Sequence, residues 1–223
     1  MNSFKDQIGK DVFSDFFKEL QFDVSNIPKE LVFDTFDVHK IYKALPLWDL
    51  HKFASMFFFP SPAVIDTANA MLMASGVTPN KSIAIVYRGT DKTTELKLAP
   101  INEYIRVVET ILGNSPKDLA VVVQTDQEQA REAILTKYGK RCRFFSELPV
   151  TRGKTAIHDL DFGSAINMSR KEFAKRMMAA VLILARCAYV ITYTGNIGAW
   201  IAIYRGTAKH LYQFDATAQL QPP

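Results

Sequence analysis

The feature that most constrains the fold is a change of hydrophobic period near residue 80. After that point, short and continuous apolar runs rich in β-branched residues alternate with longer amphipathic segments. The runs are IAIVYR from Ile83, LAVVVQT from Leu119, CRFFS from Cys142, YVITY from Tyr189 and HLYQF from His210. Buried parallel strands have this character because helices cover both of their faces. The alternation therefore predicts an α/β fold with an open, mostly parallel sheet flanked by helices.

Residues 1–80 have a different, helical pattern. Phenylalanines recur at helical spacing near the start, a second helical segment covers about residues 38–58, and Ser61-Pro62 begins a third helix that extends to Ser75. We therefore expect a helical N-terminal region over residues 1–80 that packs on the core. The α/β domain is expected over 81–216, followed by a frayed tail over 217–223.

Composition excludes several classes of protein. Of 223 residues, 48% are apolar and 22% are charged, so the chain is not disordered as a whole. The net charge of +4 has no concentrated basic patch, which argues against nucleic-acid binding. Cys142 and Cys187 lack the spacing of a disulfide framework or a zinc site, so we expect buried thiols and no metal. The first residues lack the apolar stretch of a signal peptide, and the longest apolar run is Met177–Ala185. We expect a soluble, cytoplasmic protein without a membrane span.

Open parallel sheets bind their ligands at the carboxyl ends of the strands, which selects three turns in this chain. The first turn is Arg88-Gly89-Thr90-Asp91-Lys92, and Glu95 follows it. An arginine suits bidentate contact with a phosphate or a carboxylate, and a glycine lets the backbone approach a ligand closely. A solvated loop with surface ion pairs is the alternative, but the position at a strand end favours a functional site.

The second turn, Thr194-Gly195-Asn196, joins a strand to a helix. Backbone N–H groups at a helix N-terminus attract phosphates, but a simple cap with a turn glycine fits the local pattern equally well. The third turn contains Asp126, for which local chemistry favours a plain helix cap. The long loop over 147–167 carries two further candidates, Lys154 and His158, although a lone loop histidine is usually only solvated.

Three segments resemble the fucosyltransferase superfamily that includes the α-1,6-fucosyltransferases and the nodulation fucosyltransferase. They are IAIVYRGTDKTTELKLAPINEYI, VVVQTDQEQAREAILTKY and LARCAYVITYTGNIGAWIA, in the family's order and at roughly its spacing over residues 83–206. The first resembles the family pattern R-x-T-D-K, an acidic residue and P-I-x-E-Y. The matching residues are Arg88, Thr90, Asp91, Lys92, Glu95, Pro100, Ile101, Glu103 and Tyr104.

This resemblance implies the donor-binding domain of a GT-B glycosyltransferase, with a Rossmann-like sheet. The family is inverting and metal-independent, uses no cofactor, and transfers a sugar from a nucleotide sugar, usually GDP-fucose, to a glycan hydroxyl. Carried over, Arg88 holds the donor diphosphate and stabilises the leaving nucleotide. Glu95 is the implied general base, and Lys92 and Asp91 position it.

The remaining implied donor-binding residues are Gly89, Tyr104, Asp126, Thr194, Gly195 and Asn196. The sequence departs from the family at Val86, where the family has histidine, and at Gly89 and Gln127, where the family has arginine and aspartate. The aspartate with which the family reads the guanine base falls at about Ala180 in this sequence. We therefore expect GDP-fucose, another GDP-sugar or a UDP-sugar as the donor. Other glycosyltransferase modules are further expected partners. The alternative function is a catalytically degenerate module that binds a glycan or a protein partner, and nucleotide binding separates this alternative from the enzyme.

Overall fold

The apolar runs form one six-stranded sheet in a computed structural model that describes residues 13–18, 41–90, 97–115, 118–162 and 167–223. Its strands are β1 (Ser82–Tyr87), β2 (Ala120–Thr125), β3 (Cys142–Phe144), β4 (Tyr189–Tyr193), β5 (Leu211–Phe214) and β6 (Leu220–Gln221). Their order is β3-β2-β1-β4-β5-β6, and β1 to β5 are parallel. The predicted α/β fold with a mostly parallel, Rossmann-like sheet is confirmed.

The described residues form seven α-helices and four short 3₁₀ helices. The α-helices are α1 (Phe13–Phe16), α2 (Leu47–Phe57), α3 (Pro62–Ser75), α4 (Ile101–Asn114), α5 (Glu128–Tyr138), α6 (Arg170–Ala185) and α7 (Asn196–Arg205). The 3₁₀ helices are Tyr42–Ala44, Pro79–Lys81, Gly139–Arg141 and Ile157–Asp159. Ser61 and Ser169 cap α3 and α6, because each hydroxyl accepts a hydrogen bond from an N–H group of the first turn.

Two apolar clusters cover the two faces of the sheet. Along β1, Ile83 and Ile85 belong to the cluster that contains α4, whereas Ala84 and Val86 belong to the cluster built with α6 and α7. All four side chains are fully buried, so the strand has no solvent face. This explains why the sequence shows a continuous apolar run at β1 instead of an alternating one.

Helices of the N-terminal region form a further layer on one side. Helix α2 packs against α7, and α3 packs against α6. Phe58 makes an edge contact with Trp200 at 5.4 Å between ring centroids, and its carbonyl accepts a 2.7 Å hydrogen bond from the Tyr204 hydroxyl. The expected division into regions at residue 80 stays a prediction, and most of residues 1–40 lie outside the described residues.

The C-terminal residues are ordered, and the prediction of a frayed tail is wrong. Strand β6 pairs antiparallel with β5, with Phe214 opposite Leu220. The turn between them is fixed by the Asp215 carboxylate, which accepts hydrogen bonds from the N–H groups of Thr217 and Gln219. The tail lacks a long apolar run that would predict a strand. The one local indication of structure was Asp215, because aspartate side chains often close turns.

The strand order reverses at β1, and this positions the site. From β1 the chain proceeds outward through β2 to β3 on one side, and later through β4 to β5 on the other. In sheets of this kind the crevice beyond the carboxyl ends of the two central strands is the usual ligand position. The turns that follow β1 and β4 therefore flank that crevice. In the described part of the chain, no helix has the length and apolar character needed to cross a bilayer.

Candidate nucleotide-binding site

Asp126, directly after β2, organises the loop that follows β1. Its Oδ1 accepts a 2.9 Å hydrogen bond from the Gly89 N–H, and its Oδ2 accepts a 2.6 Å bond from the Thr90 hydroxyl. The Arg88 Nε lies 3.4 Å from the same Oδ2. Asp126 is only 8% exposed. The interpretation of Asp126 as a plain helix cap is wrong, because the N-cap of α5 is Gln127 and no side chain caps that helix.

Arg88 directly follows β1 and is held by Asp126 without being buried. Asp126 contacts its Nε, while 32% of the arginine side chain is exposed. The planar guanidinium carries five N–H donors in a fixed fork, which fits phosphate oxygens. The structure therefore brings together Arg88, Gly89 and Asp126, three of the residues predicted for the site.

Gln127 joins this loop to a second one. Its Nε2 donates to the carbonyl oxygens of Gly89 and Gly153, at 3.2 Å each. A Cβ atom on residue 89 would lie 2.3 Å from the Gln127 Oε1, so a larger residue there would displace the Gln127 side chain. The contact also brings the exposed Lys154 close to the rim, because it follows Gly153.

The turn after β4 is held mainly by the fold. Thr194 is buried, its N–H donates to the Phe214 carbonyl at 2.9 Å, and its Oγ1 accepts from the Gln213 Nε2 at 2.7 Å. Gly195 has φ 157° and ψ 175°, a combination that essentially only glycine adopts. Thr194 and Gly195 therefore shape the turn that presents the start of α7.

The first N–H groups of α7 are the groups of this turn that suit an anion. The first hydrogen bond of the helix runs from the Ala199 N–H to the Gly195 carbonyl, at 2.9 Å. The N–H groups of Asn196, Ile197 and Gly198 come before that bond, so the helix itself supplies no acceptor for them. The helix dipole adds a partial positive charge at the same place.

Tyr42 is a residue of this region that the sequence reasoning missed. It is fully buried, and its hydroxyl lies 3.2 Å from the Tyr193 carbonyl and 3.0 Å from both the carbonyl and the N–H nitrogen of Gly195. Burial raises the pKa of Tyr42 well above its usual value, so the hydroxyl stays protonated. Its partners lie about 150 positions away along the chain, and no local sequence pattern could have indicated them.

Tyr104 lies in the core below the strand ends. It is 1% exposed, its ring makes a perpendicular contact with Tyr87 at 5.3 Å, and it packs against Phe214 at 4.5 Å. Desolvation raises its pKa well above the usual value. In this arrangement Tyr104 supports Tyr87 from beneath, and direct contact with a donor stays a prediction.

Several predicted site residues cannot be located in this arrangement. Asp91, Lys92 and Glu95 lie outside the described residues, so their catalytic roles stay predictions. His158 belongs to the 3₁₀ helix Ile157–Asp159, but its side chain also lies outside the description.

The described residues contain no group of three or more His, Cys, Asp or Glu side chains placed to hold a metal ion. Cys142 and Cys187 are buried thiols, as expected. Burial raises the pKa of Cys142 to about 11 and that of Cys187 to about 12. Both groups are therefore neutral thiols near pH 7, and neither lies among the residues around Asp126 and Gly195 described above.

Comparison with known proteins gives matches only among solved structures. No protein-family model matches the chain, and no curated protein matches it. The matched structures include the NodZ α-1,6-fucosyltransferase co-crystallised with GDP, at 15% identity and a TM-score of 0.45, over 75% of this chain and 50% of that one. The same enzyme soaked with GDP-fucose matches at 16% identity and a TM-score of 0.46, over 78% of this chain and 54% of that one.

The fucosyltransferase NodZ from Bradyrhizobium matches at 14% identity and a TM-score of 0.45, over 75% of this chain and 50% of that one. The chain therefore spans about half the length of the enzymes that it matches.

Proposed function

We propose that the chain is the donor-binding part of a glycosyltransferase, which transfers a sugar from a nucleotide sugar, GDP-fucose or a related GDP- or UDP-sugar, to a glycan hydroxyl. The observation that carries this proposal is that Arg88 directly follows β1 and α7 begins shortly after β4, and these two strands are parallel neighbours at the reversal point of the sheet. Three sequence segments that resemble fucosyltransferases supply the same residues, which supports a diphosphate as the ligand.

The site is suited to a diphosphate because its positive groups come from two directions. The Arg88 guanidinium, oriented by Asp126, approaches from the end of β1. The N–H groups of Asn196, Ile197 and Gly198 approach from the end of β4, with the helix dipole equivalent to about half an elementary charge behind them. Anionic oxygens between these elements gain charge-assisted hydrogen bonds from both sides.

In the proposed reaction, a glycan hydroxyl oxygen forms a bond to the anomeric carbon while the bond from that carbon to the diphosphate oxygen breaks. The leaving nucleoside diphosphate gains negative charge, which Arg88 and the α7 N-terminus stabilise. Glu95 takes the proton of the attacking hydroxyl, with Lys92 and Asp91 holding it in place. A single displacement inverts the anomeric configuration. We propose that Arg88 and the N-terminus of α7 stabilise the charge of the leaving group without a metal ion or a cofactor.

Donor turnover tests this proposal. Release of GDP or UDP is followed from GDP-fucose, GDP-mannose and UDP-N-acetylglucosamine in the presence of mixed oligosaccharide acceptors. Arg88→Ala should lower the rate by about 10²–10³, by analogy with the loss of one donor that stabilises an oxyanion. Glu95→Gln should lower the rate while leaving nucleotide affinity unchanged, because it removes the base and not the phosphate contacts.

Arg141→Ala is the matched control for Arg88→Ala. Arg141 pairs with Asp118 at 3.0 Å, beside the opposite, amino-terminal ends of β2 and β3, and 53% of its side chain is exposed. The control removes the same charge and should keep the wild-type rate. Full activity in Arg88→Ala, or no turnover of any donor by the wild type, would overturn the proposal.

A further inference from the structure

We propose that Tyr42 is a positioning residue for the donor, whose buried hydroxyl fixes the Thr194–Asn196 turn so that the start of α7 faces the diphosphate. This inference rests on the proposed function and names a residue outside the motifs that suggested it. It makes donor affinity depend on a segment that comes before the α/β domain.

The first step of the argument is the way in which the hydroxyl holds the turn. The Tyr42 hydroxyl oxygen accepts a hydrogen bond from the Gly195 N–H at 3.0 Å. The hydroxyl can donate its own proton to the carbonyl of Gly195 at 3.0 Å or to that of Tyr193 at 3.2 Å. These three backbone groups lie on the last residue of β4 and on the N-cap of α7. A single side chain thus connects the end of the strand to the start of the helix.

A second link joins the same residue to the turn. The Tyr42 N–H donates to the Gln213 Oε1 at 2.7 Å, and the Gln213 Nε2 donates to the Thr194 Oγ1 at 2.7 Å. Gln213 is 1% exposed. The Gln213 side-chain amide therefore connects the Tyr42 backbone to Thr194, the first residue of the turn, through two buried hydrogen bonds. Buried polar networks of this kind specify one geometry because every group needs its partner.

The close approach of Tyr42 depends on the glycines of the turn. A Cβ atom on residue 198 would lie 2.7 Å from the Tyr42 hydroxyl oxygen and 2.5 Å from the Tyr193 carbonyl oxygen. Gly198 thus leaves the space that the hydroxyl occupies. Gly195 has an extended backbone with φ 157° that glycine adopts freely, and Tyr42 makes three hydrogen-bond contacts with the backbone of Tyr193 and Gly195.

The consequence follows from the positions of the N–H groups. Without the hydroxyl, the buried Gly195 N–H loses the Tyr42 oxygen as its acceptor, whereas the Gly195 carbonyl keeps the Ala199 N–H. A shift of the turn would bring the Gly195 N–H to another acceptor. The N–H groups of Asn196, Ile197 and Gly198 would move with it. Hydrogen bonds to an anion weaken steeply with misalignment. Nucleotide affinity should therefore fall more than it does in a variant that destabilises the fold equally but leaves this turn in place.

The test is calorimetric titration of GDP and UDP into wild type, Tyr42→Phe and the control Tyr204→Phe. Tyr204 also donates its hydroxyl to a backbone carbonyl of the N-terminal region, that of Phe58 at 2.7 Å, but it lies near the other end of α7. Tyr42→Phe should raise the dissociation constant about tenfold or more, equal to about 1.4 kcal/mol or more. The dissociation constant of Tyr204→Phe should stay within about twofold of the wild-type value, although its melting temperature falls by about as much as that of Tyr42→Phe.

The outcomes separate this inference from the proposed function. Wild-type binding that is lost in Arg88→Ala but unchanged in Tyr42→Phe would overturn the positioning role alone. Equal losses in Tyr42→Phe and Tyr204→Phe would also overturn it, because they indicate general loosening. No binding of either nucleotide by the wild type would overturn both proposals. If Tyr42→Phe does not fold, Gln213→Met breaks the second link while keeping the hydroxyl, and wild-type affinity in that variant would overturn the role.

Discussion

Replacing Asp126 should destabilise the protein far more than replacing an ordinary surface carboxylate. In Asp126→Ala, the Gly89 N–H and the Thr90 hydroxyl each lose a charge-assisted hydrogen bond, at 2.9 and 2.6 Å. Such bonds contribute about 1.5–3 kcal/mol each to stability. The Arg88 contact at 3.4 Å adds at most about 1 kcal/mol, because a third of the arginine side chain is exposed and screened by solvent.

The sum is reduced because the loop can rearrange toward water. We therefore expect Asp126→Ala to lower the free energy of unfolding by about 3–5 kcal/mol. Asp126→Asn should cost about half as much, since the amide oxygen can keep the Gly89 bond while the amide nitrogen opposes the Arg88 Nε. Urea unfolding followed by circular dichroism measures both losses as a shift in midpoint at constant slope.

Asp118→Ala is the control, because this aspartate pairs with Arg141 at 3.0 Å and its side chain is 83% exposed. Its loss should be at most about 1 kcal/mol, as for other surface pairs. If Asp126→Ala costs no more than Asp118→Ala, the carboxylate does not organise the loop and the reasoning about Arg88 is refuted.

Three further predictions follow from other contacts. Gly198→Ala should cost about 3 kcal/mol or more, since its Cβ would lie 2.5 Å from the Tyr193 carbonyl, and a wild-type urea midpoint would contradict this close approach. Arg205→Met should cost about 3–5 kcal/mol, because the guanidinium donates to four backbone carbonyls around the end of α6 and the loop before β5; a loss under about 1 kcal/mol would show that these bonds contribute little. Cys142 and Cys187, with pKa values raised by burial to about 11 and 12, should react with iodoacetamide at pH 8 much more slowly in the native state than in urea, and equal rates would disprove their protection.

Much of the fold could be predicted because its signals are local. The run from Ile83 is continuous and β-branched, as a strand covered on both faces requires, and β1 spans Ser82–Tyr87. Ser61 followed by proline correctly located the start of α3, because the cap and the first turn are determined by neighbouring residues. The position of Arg88 at a strand end followed from the same local pattern and from the general rule for parallel sheets.

The wrong and missing predictions involve distant partners. Asp126 has the local pattern of a helix cap, but its carboxylate contacts Gly89 and Thr90, which precede it by 37 and 36 positions. Tyr42 carried no signal at all, because its hydroxyl partners become neighbours only when the N-terminal helices pack on α6 and α7. The order of β6 likewise depends on pairing with β5. Such contacts are products of the tertiary fold.

The central claim is that the crevice between Arg88 and the start of α7 binds a nucleoside diphosphate. Melting curves with GDP, UDP, ADP and inorganic phosphate, recorded for wild type, Arg88→Ala and Arg141→Ala, test it most directly. A ligand at about 100 times its dissociation constant stabilises the folded state by roughly 2.7 kcal/mol, which a melting curve resolves. We predict a shift with GDP or UDP that Arg88→Ala abolishes and Arg141→Ala keeps. No shift with any nucleotide, or an equal shift with inorganic phosphate, would contradict the account.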